Sequence, residues 1–152
     1  MNWILRKTDK LEFHTNLTEL LHPIFEDLKN FNWVLSDLDF IAHEEIPIEF
    51  GEDYYILDEK EFEKLAKARV QIIWGVISAI PKSEAMELDK NNLPYVEGND
   101  DIWKDGNLQL PNSLIEIIAF DSSYTIIKFK NLNLSEKFKR HFDEAIELEK
   151  YK

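Results

Sequence analysis

His43, Glu44 and Glu45 begin like the His-Glu-x-x-His helix of zinc proteases, in which two imidazoles one turn apart hold a metal and the glutamate activates its water. Pro47 stands where the second histidine belongs, and a proline so close argues against the helix that the motif needs. The other histidines, His14, His22 and His141, also lack a partner at i, i+4. Ser122 and Ser123 lie in a turn-forming cluster without the glycine elbow that exposes a nucleophilic serine, so they read as turn formers. Asp101, Asp105 and Gly106 match the first, fifth and sixth positions of a calcium loop. Trp103, however, occupies the third, and Asn112 stands where a bidentate glutamate is required. The glycines, Gly51, Gly75, Gly98 and Gly106, are too scattered for a phosphate-cradling loop. Carboxylates are so abundant that counting acid/base pairs carries no signal. The reading is a protein with no catalytic, cofactor-binding or metal-ligating residues, and not an enzyme.

What remains is charge. Eleven acids fall between positions 37 and 63 against one base, Lys60, so this stretch carries −10 of the chain's net −12. Its first part holds Asp37, Asp39, Glu44, Glu45, Glu49, Glu52 and Asp53. Phe40, Phe50, Tyr54, Tyr55 and Phe62 are interleaved with the acids, and a purely solubilising tail would have few such residues. Two readings stand side by side: a solvated face that keeps the protein soluble, and a folded interface shaped for a basic partner. On the second, the seven acids from Asp37 to Asp53 steer the partner, and Tyr54, Tyr55 and Trp103, the last in a polar loop, are the candidate contact anchors. An isoelectric point near 4.7 repels phosphate backbones and anionic lipids, which argues against nucleic acid and membrane as partners and favours basic proteins.

These side chains need a scaffold, and hydrophobic periodicity supplies one. Leu17, Leu20, Leu21, Ile24, Phe25 and Leu28 recur at helical spacing behind Thr15 or Asn16 as N-cap, with Pro23 forcing a kink or a restart. Residues 31–41 read as a half-buried strand and 54–57 as a short one. Asp58 then caps a helix carrying Phe62, Leu65, Ala66 and Arg69 on one face, with Glu59 and Glu61 suited to its dipole. Residues 71–80 are apolar on both faces, as in a strand at the sheet centre, and so place Ile73, Trp74, Val76 and Ile77 out of reach of water. Pro81 ends this strand. An excursion follows over 82–106, around a short helix near 83–88. Segments 115–120 and 124–129 flank Asp121-Ser122-Ser123 as a β-hairpin. Ser135 then caps a last helix whose stripe is Phe138, Phe142, Ala145 and Ile146.

That order predicts an α+β fold: a single globular domain over 1–152, with helices packed on a mostly antiparallel sheet. A hydrophobic content of 44% is too high for intrinsic disorder. The absence of cysteine removes disulfides and thiolate metal sites. The amino terminus has charge after a very short apolar run, unlike a secretory signal, and no apolar run approaches the roughly 18 residues of a membrane span. The expected location is the cytoplasm.

At Phe31-Asn32-Trp33-Val34-Leu35-Ser36-Asp37-Leu38-Asp39, Ile73-Trp74-Gly75-Val76 and Phe120-Asp121-Ser122-Ser123-Tyr124-Thr125, the chain resembles small bacterial proteins of about this length that are similar to immunity proteins of polymorphic toxin systems. The resemblance covers the full chain, but its motifs are structural, so no individual binding residue is carried over. It implies a cytoplasmic antidote that neutralises a cognate toxin domain by direct binding and performs no chemistry. Nuclease toxins expose basic clefts, and an acidic inhibitor would associate with one rapidly. Two alternatives remain open at this level: a carboxylate- or metal-dependent enzyme, and an acidic regulatory or scaffold protein. The oligomeric state is not specified by any of these features.

Overall fold

Two-sided apolar strands demand cover on both faces, and the computed structural model, which describes residues 2–49 and 51–151, shows how each face obtains it. Seven strands form one sheet among these residues: β1 (Asn2–Leu5), β2 (Phe31–Ala42), β3 (Tyr54–Leu57), β4 (Val70–Pro81), β5 (Ile115–Phe120), β6 (Tyr124–Phe129) and β7 (Ile146–Glu147). Their spatial order is β3-β2-β4-β5-β6-β1-β7, and every pairing is antiparallel. With α1 (Leu17–Leu21), α2 (Glu59–Lys67) and α3 (Leu132–His141), this is the expected α+β architecture. Phe50, read as part of the aromatic interleaving, lies outside the described residues.

One face is covered by helices. Leu17, Leu20, Leu21, Phe62, Leu65, Phe138 and Phe142 pack there on Trp33, Leu35, Ile77, Ile117 and Ile127. Asn16 caps α1 by accepting from Glu19 N, and at Pro23 the chain tightens into a 3-10 helix, His22–Leu28, because proline cannot supply the α-helical donor. Asp58 and Glu61 close a capping box at the start of α2.

Among the described residues, the opposite face carries no α-helix. Loop 82–114 lies over it instead, with Val96 and Ile102 packed on Ile4, Val76, Ile118 and Ile126, and Leu110 on Val34 and Ile80.

Several local expectations need correction. Asn131, not Ser135, caps the last helix; its side chain accepts from Leu134 N and starts α3 a turn earlier. Ser135 then lies buried inside the helix, where its hydroxyl accepts from Trp3 Nε1 at 2.9 Å. The helical stripe stops at Phe142, so Ile146 follows strand geometry in β7 and is exposed. Arg69 lies beyond the end of α2 and turns outward to pair with Glu12 at 2.8 Å. No helix forms over 83–88; Met86 and Leu88 use two-residue spacing to reach the cluster of Val34, Ile80 and Leu110.

Strand β4 also differs from its reading. It is third in the sheet, with β5 in the middle position. Val76 and Ile77 are buried, but Ile73 and Trp74 are only half-buried. The reason is a change of phase. Ile77 and Ala79 belong to the helical face and Val76 to the loop face, whereas Ile72 has returned to the helical face. β5 flanks β4 only from Gly75 to Ala79, and beyond its end the Thr15 hydroxyl bonds both the N–H and the carbonyl of Ile72.

Candidate functional site

The acid run divides into a part that the fold consumes and a part that it leaves free. Within α2 and its cap, Asp58 and Glu61 serve the capping box, Glu59 pairs with Lys82 at 2.8 Å, and Glu63 pairs with Lys67 at 2.5 Å. The hydrogen bond from Lys67, aided by its charge, holds the Glu63 carboxyl below the usual carboxylate range. These acids therefore have structural employment.

The connection between β2 and β3 is different. Glu44, Glu45, Glu49, Glu52 and Asp53 are all exposed, and among the described residues none of them forms an ion pair. Ile48 anchors this connection in the helical core, and the Tyr55 hydroxyl donates to the Glu49 carbonyl. The acids are thus displayed on a segment held at both ends by β2 and β3 and pinned in the middle.

They do not form one continuous patch. Glu44 and Glu45 line a groove with Lys64 and Lys67 beside the end of α2. Glu52 and Asp53 line another with Asp37, Lys90, Pro94 and Tyr95. Asp39 is exposed on β2, where its register partner is Trp74.

Asp37 has a structural role that the sequence reading missed. It adopts φ 55° at a register irregularity between Ser36 and Asp39. This bulge sets two successive side chains on the loop face, where the Ser36 hydroxyl donates to the Pro94 carbonyl at 2.8 Å and an Asp37 carboxylate oxygen accepts from Val96 N at 2.9 Å. The bulge clamps the long loop while leaving the Asp37 side chain exposed. A Cβ on Gly75 would collide with Leu38 Cδ2, so the glycine lets Leu38 turn to the helical face.

The aromatic candidates are also separated. Tyr54 and Tyr55 are half-buried on β3, next to the acids. Trp103, read as exposed in a polar loop, is half-buried: it stacks on Tyr151 at 6.0 Å between centroids and meets Phe120 at 5.4 Å, with Trp74 and Tyr124 completing the cluster. The sequence gives no hint of this, because the partners come from a strand, a hairpin and the carboxyl-terminal segment.

The buried ionisable pair Glu116 and Lys128 was likewise missed, although a signal existed. A hairpin closing over 121–123 with the register Ile115 to Phe129 sets Glu116 opposite Lys128. Lys128 Nζ donates to the carbonyls of Asn107 (2.7 Å) and Asp101 (3.1 Å), and Glu116 accepts from Gln109 N at 2.7 Å. Burial pushes the Glu116 carboxyl up and the Lys128 ammonium down from their ordinary values. Both side chains are fully buried, and their bonds hold loop 100–109 on the sheet.

Among the described residues, no group of three or more histidines and carboxylates is placed to hold a metal ion, and no helix is long and apolar enough to cross a membrane. No family model, no curated protein and no solved structure matches the chain.

Proposed function

We propose that this is an acidic binding protein that neutralises a basic protein partner by direct contact, in the manner of an immunity protein acting on a cognate toxin domain. The observation that carries the reading is the unpaired display of Glu44, Glu45, Glu49, Glu52 and Asp53 on a segment pinned by Ile48 and Tyr55. Like charges gathered on one connection repel each other, and the fold supplies lysines to the α2 acids but no ion pair to these. A basic partner would relieve that repulsion, and its approach would be accelerated by the local field of these acids. A nuclease toxin, whose cleft must attract phosphate, has the charge that fits.

The test is capture from extract of the native cell, followed by expression of the captured protein alone and together with this chain. The expected result is a basic protein that arrests growth alone and is harmless in the pair. Recovery of several unrelated proteins, none of them toxic, would support an acidic scaffold instead and overturn the antidote reading.

A further inference from the structure

We infer that the outer edge of β3 is the docking site for an extended, lysine- or arginine-bearing segment of the partner, which joins the sheet as an additional strand. This rests on the reading of the chain as a binder of basic proteins and gives it a mode.

Strand β3 ends the sheet on its side, and among the described residues its backbone pairs with β2 alone. Such a strand presents a row of N–H and C=O groups to whatever lies outside. Natural sheets blunt their edges with lysine, proline, bulges, a covering segment or shortness, and β3, though only four residues long, contains no lysine or proline. Residues 54–57 are Tyr-Tyr-Ile-Leu, and Ile56 is 48% exposed. By the two-residue period Ile56 shares a face with Tyr54, giving an added strand two side chains to pack against. The opposite edge of the sheet, β7, is only two residues long and offers little ladder.

Charge decides the occupant. Glu52 and Asp53 precede the strand, and Asp58 and Glu59 follow it. A second copy pairing edge to edge in antiparallel fashion would set one acidic end against the other, so the arrangement repels the homotypic pairing that an open apolar edge otherwise invites. A basic strand meets the unpaired Glu52 and Asp53 at the Tyr54 end, whereas at the other end Asp58 is engaged by the α2 cap and Glu59 by Lys82. At the Tyr54 end, the groove lined by Asp37, Glu52, Asp53 and Tyr95, with Lys90 as its one base, lies where a terminal lysine or arginine would arrive. Main-chain bonds would supply affinity and the flanking acids selectivity, the usual division in strand addition.

The test uses three synthetic peptides of equal length, alternating Lys-Val, Lys-Pro and Glu-Val, at low salt, with amide hydrogen exchange followed residue by residue. The Lys-Val peptide is expected to slow exchange at outward amides of β3 by about tenfold or more, while Lys-Pro, which has the charge but whose proline rings fix φ at about −65° and favour polyproline II over a regular strand, leaves them unchanged. Ile56→Lys should weaken Lys-Val binding about tenfold and Ile56→Glu much less, since both substitutions remove the apolar contact and only one repels. Both variants sit at an exposed edge position, and unchanged melting confirms their fold. If Lys-Val and Lys-Pro bind equally without protecting β3, docking at the edge is wrong and the acidic-surface reading stands. If Glu-Val binds as well as Lys-Val, charge selection at the edge is wrong. If neither basic peptide binds, the acidic-surface reading fails together with this one.

Discussion

Lys128 Nζ and Glu116 Oε1 sit 3.7 Å apart at facing positions of β6 and β5, and neither side chain has any exposed surface. That separation exceeds hydrogen-bond length, so the pair depends on its backbone partners in loop 100–109 as much as on mutual attraction. Removing one charge strands the other. Lys128→Met should cost about 3–5 kcal/mol in chemical denaturation, and the double change Lys128→Met with Glu116→Leu should cost less than Lys128→Met alone. Equal losses would mean that Glu116 is not held by charge.

The same pair sets a pH dependence. Burial raises the Glu116 carboxyl above its ordinary value, against the opposing help of Gln109 N and Lys128. The folded state therefore takes up this proton more readily than the unfolded one. Its contribution to stability is fully present below the unfolded value of 4.5 and is lost as pH rises through the raised folded value. Melting followed across that window should show the wild type losing stability relative to Glu116→Gln as pH increases. A difference that stays constant or grows in the opposite sense would contradict the assignment.

Trp33 and Trp74 separate the true core from its margin. Trp33 is 1% exposed and stacked on Phe62 with centroids 3.7 Å apart, whereas Trp74 is half-buried against Phe120. Trp33→Ala should cost about 3–5 kcal/mol and Trp74→Ala about half as much or less. The reverse order in denaturant midpoints would misplace the faces of β2 and β4.

At Asp37 the clamp can be tested apart from the charge. Asn tolerates the left-handed conformation and keeps an acceptor for Val96 N, so Asp37→Asn should change stability by less than about 1 kcal/mol. Asp37→Val strains the backbone and leaves a donor unpaired, for a loss of about 2–4 kcal/mol. Similar losses in thermal denaturation would show that neither the conformation nor the bond to Val96 matters.

The elements that could be read from the chain are those specified by nearest neighbours. The helix at 59–67 follows from Asp58 and its apolar stripe, and the hairpin from two apolar runs about a three-residue turn. The excursion could be placed but not shaped, because Met86, Leu88, Val96, Ile102 and Leu110 acquire their partners only when the loop crosses the sheet. The phase changes in β2 and β4 escaped for a related reason: they depend on Asp37 at φ 55°, on Gly75 against Leu38 and on a threonine far away in sequence. Ser135 was misread as a cap because its long-range partner, Trp3, is invisible to local pattern. At the candidate surface, the charge was legible, but its division into structural acids on α2 and unpaired acids before β3 required the lysine positions.

The central claim is that these unpaired acids, rather than net charge, attract the partner. The direct measurement is the association rate with the captured basic protein, for two variants that lose equal charge. One carries Gln at Glu44, Glu45, Glu49 and Glu52. The other carries the amide analogues at Asp143, Glu144, Glu147 and Glu149, where Lys10 and Lys150 already pair with three of the acids. The first set should slow association about tenfold or more and the second much less, with the difference shrinking as salt is added. Equal slowing by both sets would show that total charge alone is felt, and the proposed interface before β3 would be wrong.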